Sequence, residues 1–159
     1  FYSGDNLQRA KKDNLERMIN LFGPIAKCDA FQHHIYTNPK LSIDDICDYW
    51  EELNEQWSTG IEWNGIEGGT RYGWQHIGHF FFSPFYMLDY AIAGLGALQV
   101  YKNYLDNREK GIENYFKGLH FGGSRPLPEL FEKFGIKFDF SSKAVKPLFE
   151  SLHTEYKKY

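Results

Sequence analysis

Apolar residues recur at helical spacing along most of this chain. Between positions 6 and 22, Leu7, Ala10, Leu15, Met18, Ile19 and Phe22 form a broad stripe, with Asp5 or Asn6 placed to cap it and Gly23-Pro24 to break it. A second helical stretch is expected from about Ile25 to Tyr36, ending before Asn38-Pro39. The clearest pattern covers 43–57, where Ile43, Ile46, Cys47, Trp50, Leu53 and Trp57 share one face. Ser42 stands at the N-cap with Asp45 three residues on, and Leu41 and Ile46 occupy hydrophobic-staple positions. The opposite face carries Asp44, Asp48, Glu51, Glu52 and Glu55, which reads as a solvated surface in preference to a cation site.

Residues 59–73 interrupt the pattern and read as a loop, with Gly60, Gly65, Gly68, Gly69 and Gly73 able to take backbone angles closed to other residues. No Gly-x-Gly-x-x-Gly follows a strand and no Lys follows these glycines, so a phosphate cradle is a weak reading. Beyond the loop a long helix is expected to begin with Ser83 as cap and Pro84 in its first position. Tyr86, Tyr90, Ala93 and Ala97 then lie on one face at four-residue spacing, and Gly94, Gly96 and Ala97 allow a second backbone to approach. Further helices are expected over 108–118, after Asp106-Asn107, and from Pro128 to Phe134, closed by Gly135. Ile136 to Phe140 alternates and could be extended. The last helix follows Ser141-Ser142, with Pro147 either starting or bending it. The sum is an all-α domain.

A chain of 159 residues fits one domain, and 42% apolar with 18% aromatic residues argues for a folded chain with a real core. Net charge is −3 with no basic cluster, which speaks against nucleic acid as a partner. Cys28 and Cys47 are too few for a disulfide framework; they fit a reducing cytoplasm and read as inert core thiols. Phe80–Val100 is long and apolar enough to raise the question of a membrane span. Asp89 near its middle would cost roughly 2.5–3.5 kcal/mol there, and Ser83, Pro84 and Gln99 weaken the case further, so a buried helix is expected.

Candidate chemistry concentrates between Trp74 and Leu98. Two histidines, His76 and His79, precede an aromatic run, Ser83-Pro84 and two tyrosines, Tyr86 and Tyr90. Histidine and tyrosine can both donate hydrogen bonds to a developing oxyanion. The histidine pair alone makes a poor zinc site, since zinc wants at least three protein ligands. Read from the residues alone, the tyrosines are aromatic core before they are catalytic groups, and His33-His34, His120 and His153 form no catalytic pattern. A glycine-rich segment beside a substrate groove is the functional alternative to a plain connection, with Gly68, Gly69 and His76 as candidate substrate-binding positions.

The block resembles the C-terminal part of the catalytic domain in oligoendopeptidase F-like zinc peptidases, relatives of thimet oligopeptidase. The likeness is carried by Trp74, His79-Phe80, Pro84-Phe85-Tyr86 and Asp89-Tyr90-Ala91. It extends to Phe31-Gln32-His33-His34-Ile35-Tyr36-Thr37-Asn38-Pro39, Leu95-Gly96-Ala97-Leu98-Gln99 and Leu127-Pro128-Glu129-Leu130-Phe131. The resemblance implies a helical part of a zinc metallo-oligopeptidase that hydrolyses short peptides. His79 would then hydrogen-bond substrate or intermediate, and Tyr86 or Tyr90 would donate to the oxyanion formed as water attacks the peptide carbonyl. Asp89 would be an orienting or capping carboxylate.

The departures carry equal weight. The family's zinc is held by a His-Glu-x-x-His helix and a later glutamate, yet no His here is followed by Glu. The resemblance therefore implies that the zinc ligands lie outside this chain, in a missing N-terminal portion, and that residues 1–159 form a catalytically silent piece. Docking of that portion predicts an exposed apolar face and a tendency to self-associate. The rival expectation is an independent all-α binding module with an aromatic cleft and no catalysis.

Overall fold

The structure, a computed structural model, describes residues 2–57, 60, 65 and 67–159. Every regular element among them is helical: α1 (Gly4–Asn20), α2 (Phe22–Thr37), α3 (Ile43–Gln56), α4 (Glu67–Arg71), a 3-10 turn (Gly73–His76), α5 (His79–Phe82), α6 (Met87–Asp106), α7 (Arg108–Leu119), α8 (Leu127–Lys133) and α9 (Ser142–Tyr156). The chain divides into a central unit, Leu21–Ala91, and a flanking unit made of Phe1–Asn20 and Ile92–Tyr159. Among the described residues no helix is long and apolar enough to cross a membrane.

The central unit is built around Phe31, which is 0% exposed. Its core gathers Cys28 and Phe31 from α2, Cys47, Trp50 and Leu53 from α3, Trp74 from the 3-10 turn and Phe80 from α5. Both cysteines are buried free thiols, and burial raises the Cys28 thiol above its ordinary range, as expected of inert core groups. The break between the first two helices falls at Leu21, not at Gly23-Pro24. Pro24 sits in the first turn of α2, where a missing N–H leaves no gap in the hydrogen-bond ladder. Asp5 and Asn6 likewise lie inside the first turn of α1 and not ahead of it.

Helix α3 has the predicted reciprocal cap: Asp45 N–H donates to Ser42 Oγ at 3.2 Å, and Ser42 N–H donates to Asp45 Oδ2 at 2.9 Å. The Ser42 bonds hold the Asp45 carboxyl below its usual range. Ile43 and Trp57, placed on the apolar face by spacing, are exposed because the core is reached only from Ile46 to Leu53. The opposite face is also more than solvated surface. Arg71 on α4 pairs with Asp44 at 3.3 Å, Asp48 at 2.6 Å and Glu51 at 2.5 Å.

That clasp, with Trp50 Nε1 donating to the Thr70 carbonyl at 3.1 Å, explains a second departure. Part of the expected 59–73 loop is helical. Residues 59, 61–64 and 66 lie outside the described residues; of the five glycines, Gly60 and Gly65 take positive φ, at 77° and 87°. Gly68 and Gly69 lie in α4, exposed and without positive φ, and Gly73 opens the 3-10 turn.

In the flanking unit α1 packs with α9 and α7 with α8. Leu15, Leu148 and Leu152 are buried. Glu155 is buried too, accepting from Lys158 Nζ at 2.5 Å and Tyr159 Oη at 2.8 Å; the lysine chiefly holds its carboxyl below the usual range. Asn107 caps α7 by accepting from Lys110 N–H at 3.0 Å. Gly135, at φ 71°, closes α8: its N–H donates to the Glu132 carbonyl at 2.9 Å and that of Ile136 to the Phe131 carbonyl at 3.0 Å. Residues 136–140 form no strand. Gln99 instead binds both backbone groups of Lys137 at 3.0 Å, while Phe138 and Phe140 meet Phe131 edge-on. Helix α9 starts at Ser142 and carries Pro147 within it.

Gly111 lets α7 lie against the end of α6. A Cβ there would sit 2.6 Å from Tyr104 Cα, a backbone atom that no rotamer change can move aside. Overpacking of this kind costs about 1–3 kcal/mol, of which the better helix propensity of alanine returns at most about 1 kcal/mol. Gly111→Ala is therefore expected to lower the urea midpoint. Gly123→Ala, where a Cβ would meet nothing within 4 Å, should leave it nearly unchanged.

Candidate active site

The candidate site is assembled by α5, the turn after it and the first residues of α6, all in the central unit. In α5, Phe80 points into the core at 5% exposure, while Phe81 and Phe82 stay exposed. His79 opens this short helix. Ser83 then serves as its C-cap, not as the N-cap of the long helix, and α6 starts at Met87, later than Pro84 suggests. The cause is Phe85, whose φ of 62° no right-handed helix can contain.

Two residues of α2 hold this turn. Gln32, 0% exposed, accepts the Phe85 N–H on Oε1 at 2.9 Å. Tyr36 Oη donates to the Phe80 carbonyl at 2.7 Å. The Phe85 ring lies 4.9 Å from that of His33 and 5.3 Å from that of Tyr36, edge-on to the latter. Burial raises the Tyr36 hydroxyl above its ordinary range, and the Gln32 amide offsets part of that rise. Gln32 and Tyr36 were not singled out as site residues from sequence. The usable signal was a polar side chain four positions after Cys28 on an otherwise apolar face.

The turn gathers the three residues expected to be catalytic. The His79 and Tyr86 rings stack at 5.5 Å with an interplanar angle of 3°. Tyr90 meets both edge-on, 6.1 Å from His79 and 5.4 Å from Tyr86. Tyr86 and Tyr90 are 47% and 43% exposed, so this is a surface cluster and not core. Among the described residues none of the three side chains makes a hydrogen bond, which leaves two hydroxyls and an imidazole available to a ligand. Asp89 lies in the first turn of α6, where a negative charge suits the helix end; it makes no side-chain cap with another described residue.

The other expected site residues stand apart from this cluster. His76 is exposed at the end of the 3-10 turn, on a different element from His79, so no common helix presents both. Gly68 and Gly69 belong to α4. His34 is half-buried and stacks on Tyr49 at 3.8 Å, whereas His33 is exposed, 3.6 Å from Asp29. Among the described residues no group of three or more His, Cys, Asp or Glu side chains could hold a metal ion.

Two solved structures share this fold. One assigned to oligoendopeptidase F superposes with a TM-score of 0.85 over 95% of this chain, at 24% identity. PZ peptidase A, solved with an inhibitor, superposes with a TM-score of 0.84 over 94%, at 22% identity. Such likeness establishes an all-helical part of the oligoendopeptidase fold, and this chain spans 27% of the length of each. The sequence goes further: the model of Peptidase family M3 matches residues 2–148, and the chain belongs to that family. An oligoendopeptidase F homolog of Borreliella burgdorferi is 45% identical over 51 residues, 31% of this chain and 9% of that protein.

Proposed function

We propose that this chain forms part of a zinc metallo-oligopeptidase acting on short peptides, and supplies one wall of its active site with His79, Tyr86 and Tyr90. The observation that carries the reading is the mutual ring cluster of these three residues at an exposed edge, with their polar atoms unengaged by other described residues. A tyrosine hydroxyl placed there donates to the oxygen of a peptide carbonyl as it takes on negative charge, and the imidazole holds the same group from the side. Donors already in place stabilise the transition state without reorganising during the reaction.

The family implies zinc, but the described residues do not fit a zinc site: His76 and His79 occur without a third ligand. The ligands and the general base are therefore assigned to protein outside residues 1–159, an N-terminal portion of the same enzyme. The 27% share of the solved relatives' length supports this division. The exposed Phe81, Phe82 and Leu88 suit that portion as a docking face and favour self-association of the isolated chain. His76 with Gly68 and Gly69 would line the peptide groove, and a cytoplasmic location fits the two free thiols.

The test is metal content and mass in the native source. The protein should be larger than 159 residues, carry stoichiometric zinc and cleave short peptides until a chelator removes the metal. The 159-residue chain alone should retain no zinc after dialysis and cleave nothing. A metal-free native species of 159 residues would instead favour a binding module. Zinc bound tightly through His76 and His79 would overturn the assignment of ligands.

A further inference from the structure

We infer that Gln32, with Tyr36 one turn along α2, is a positioning residue that sets the geometry of His79 against Tyr86; the inference rests on the proposed function for its consequence in turnover. Gln32 is fully buried, and the one aligned hydrogen bond of its side chain among the described residues is the acceptance from Phe85 N–H. Its Nε2 is also buried and bears on the Tyr36 hydroxyl, without a well-aligned hydrogen bond to it. Burying an amide is less favourable than burying a hydrocarbon of the same size, so for packing alone a leucine or methionine would be the cheaper occupant. What the amide adds is a fixed acceptor for a backbone donor 53 residues away.

That donor belongs to the one non-glycine among the described residues with positive φ. A phenylalanine in this region is strained, and surrounding contacts must hold it there. The Gln32 bond and the packing of the Phe85 ring on His33 and Tyr36 are those contacts. The next residue is Tyr86. Four positions after Gln32, Tyr36 grips the Phe80 carbonyl, next to His79. One rigid helix face thus holds a backbone group beside each member of the stacked pair. The separation of the two functional rings is fixed by α2, a helix that carries neither of them, as support of an active-site constellation requires.

The experiment combines site-resolved amide hydrogen exchange with steady-state kinetics on the complete peptidase. In the unmodified enzyme the Phe85 amide should be protected like a helical amide despite lying in a turn. Exchange there at the rate of an exposed turn overturns the inference without any variant having to fold. Gln32→Leu, which has no acceptor, should deprotect Phe85, shift the His79 ring-proton resonances and lower kcat about tenfold to hundredfold, with KM within about twofold. Gln32→Glu keeps an acceptor and should restore Phe85 protection at a pH low enough to keep the buried carboxyl neutral. If Gln32→Leu frees Phe85 but leaves kcat unchanged, while Tyr86→Phe abolishes turnover, positioning fails and the proposed function stands. If Tyr86→Phe and Tyr90→Phe both leave turnover intact, the oxyanion role in the proposed function fails instead. Phe85 protection and the His79 resonances then decide whether Gln32 holds the geometry.

Discussion

In the complete peptidase, Tyr86→Phe is expected to lower kcat by about 10²–10³-fold, some 2.7–4 kcal/mol of transition-state stabilisation, with KM little changed. The hydroxyl would act on charge that exists only in the transition state, and such an interaction raises turnover without tightening the ground state. Removing it leaves the ring, and hence the 5.5 Å stack on His79, in place. The same substitution should therefore leave the unfolding midpoint almost where it was. His79→Ala should also cut turnover, whereas His153→Ala, at an exposed position of α9, should not. Tyr90 is the built-in comparison: its ring meets the same two partners edge-on. If Tyr90→Phe loses turnover and Tyr86→Phe does not, the donor is Tyr90. If both variants keep full activity, the oxyanion role is wrong and the cluster is packing alone.

Phe31→Ala is expected to destabilise the central unit by about 3–5 kcal/mol, a large share of the 5–15 kcal/mol that holds a typical domain together. Phe31 is 0% exposed, and its ring lies 5.0 Å from those of Trp50 and Phe80 and 5.8 Å from that of Trp74. Truncation removes those edge and tilted contacts and opens a cavity where α2 meets α3, the 3-10 turn and α5. Urea unfolding followed by tryptophan fluorescence reads this directly, because Trp50 and Trp74 both line the vacated space. Phe82→Ala, at 74% exposure, should stay within about 0.5 kcal/mol of the unmodified protein. Equal midpoints for the two variants would remove Phe31 from the centre of the core.

The features legible in the sequence are those decided within a few residues. The cap of α3 needs only Ser42 and Asp45, the cap of α7 only Asn107 and Lys110, and the close of α8 only a glycine that can take φ 71°. The same locality misleads where a distant group intervenes. Pro24 looked like a break because its ring forbids a helix interior, yet the first turn of α2 has no use for its missing N–H. Gly68 and Gly69 looked like loop, yet Arg71 reaches three carboxylates 20–27 residues away and holds α4 against α3. Those carboxylates gave no sign of their partner, because spacing along α3 reports which side faces out and not what lies opposite.

The candidate site divides along the same line. Residue types and order by themselves determined an all-helical chain and its resemblance to the oligoendopeptidase F-like peptidases, and that resemblance in turn singled out His79, Tyr86 and Tyr90. Only the tertiary structure decided that these three rings touch, because the turn joining α5 to α6 obeys Gln32 and not Pro84. A proline restricts its own φ and the conformation of the residue before it, which sequence records. The left-handed twist at Phe85 is held by a buried amide 53 residues away, and a contact of that range exists only once the helices have packed.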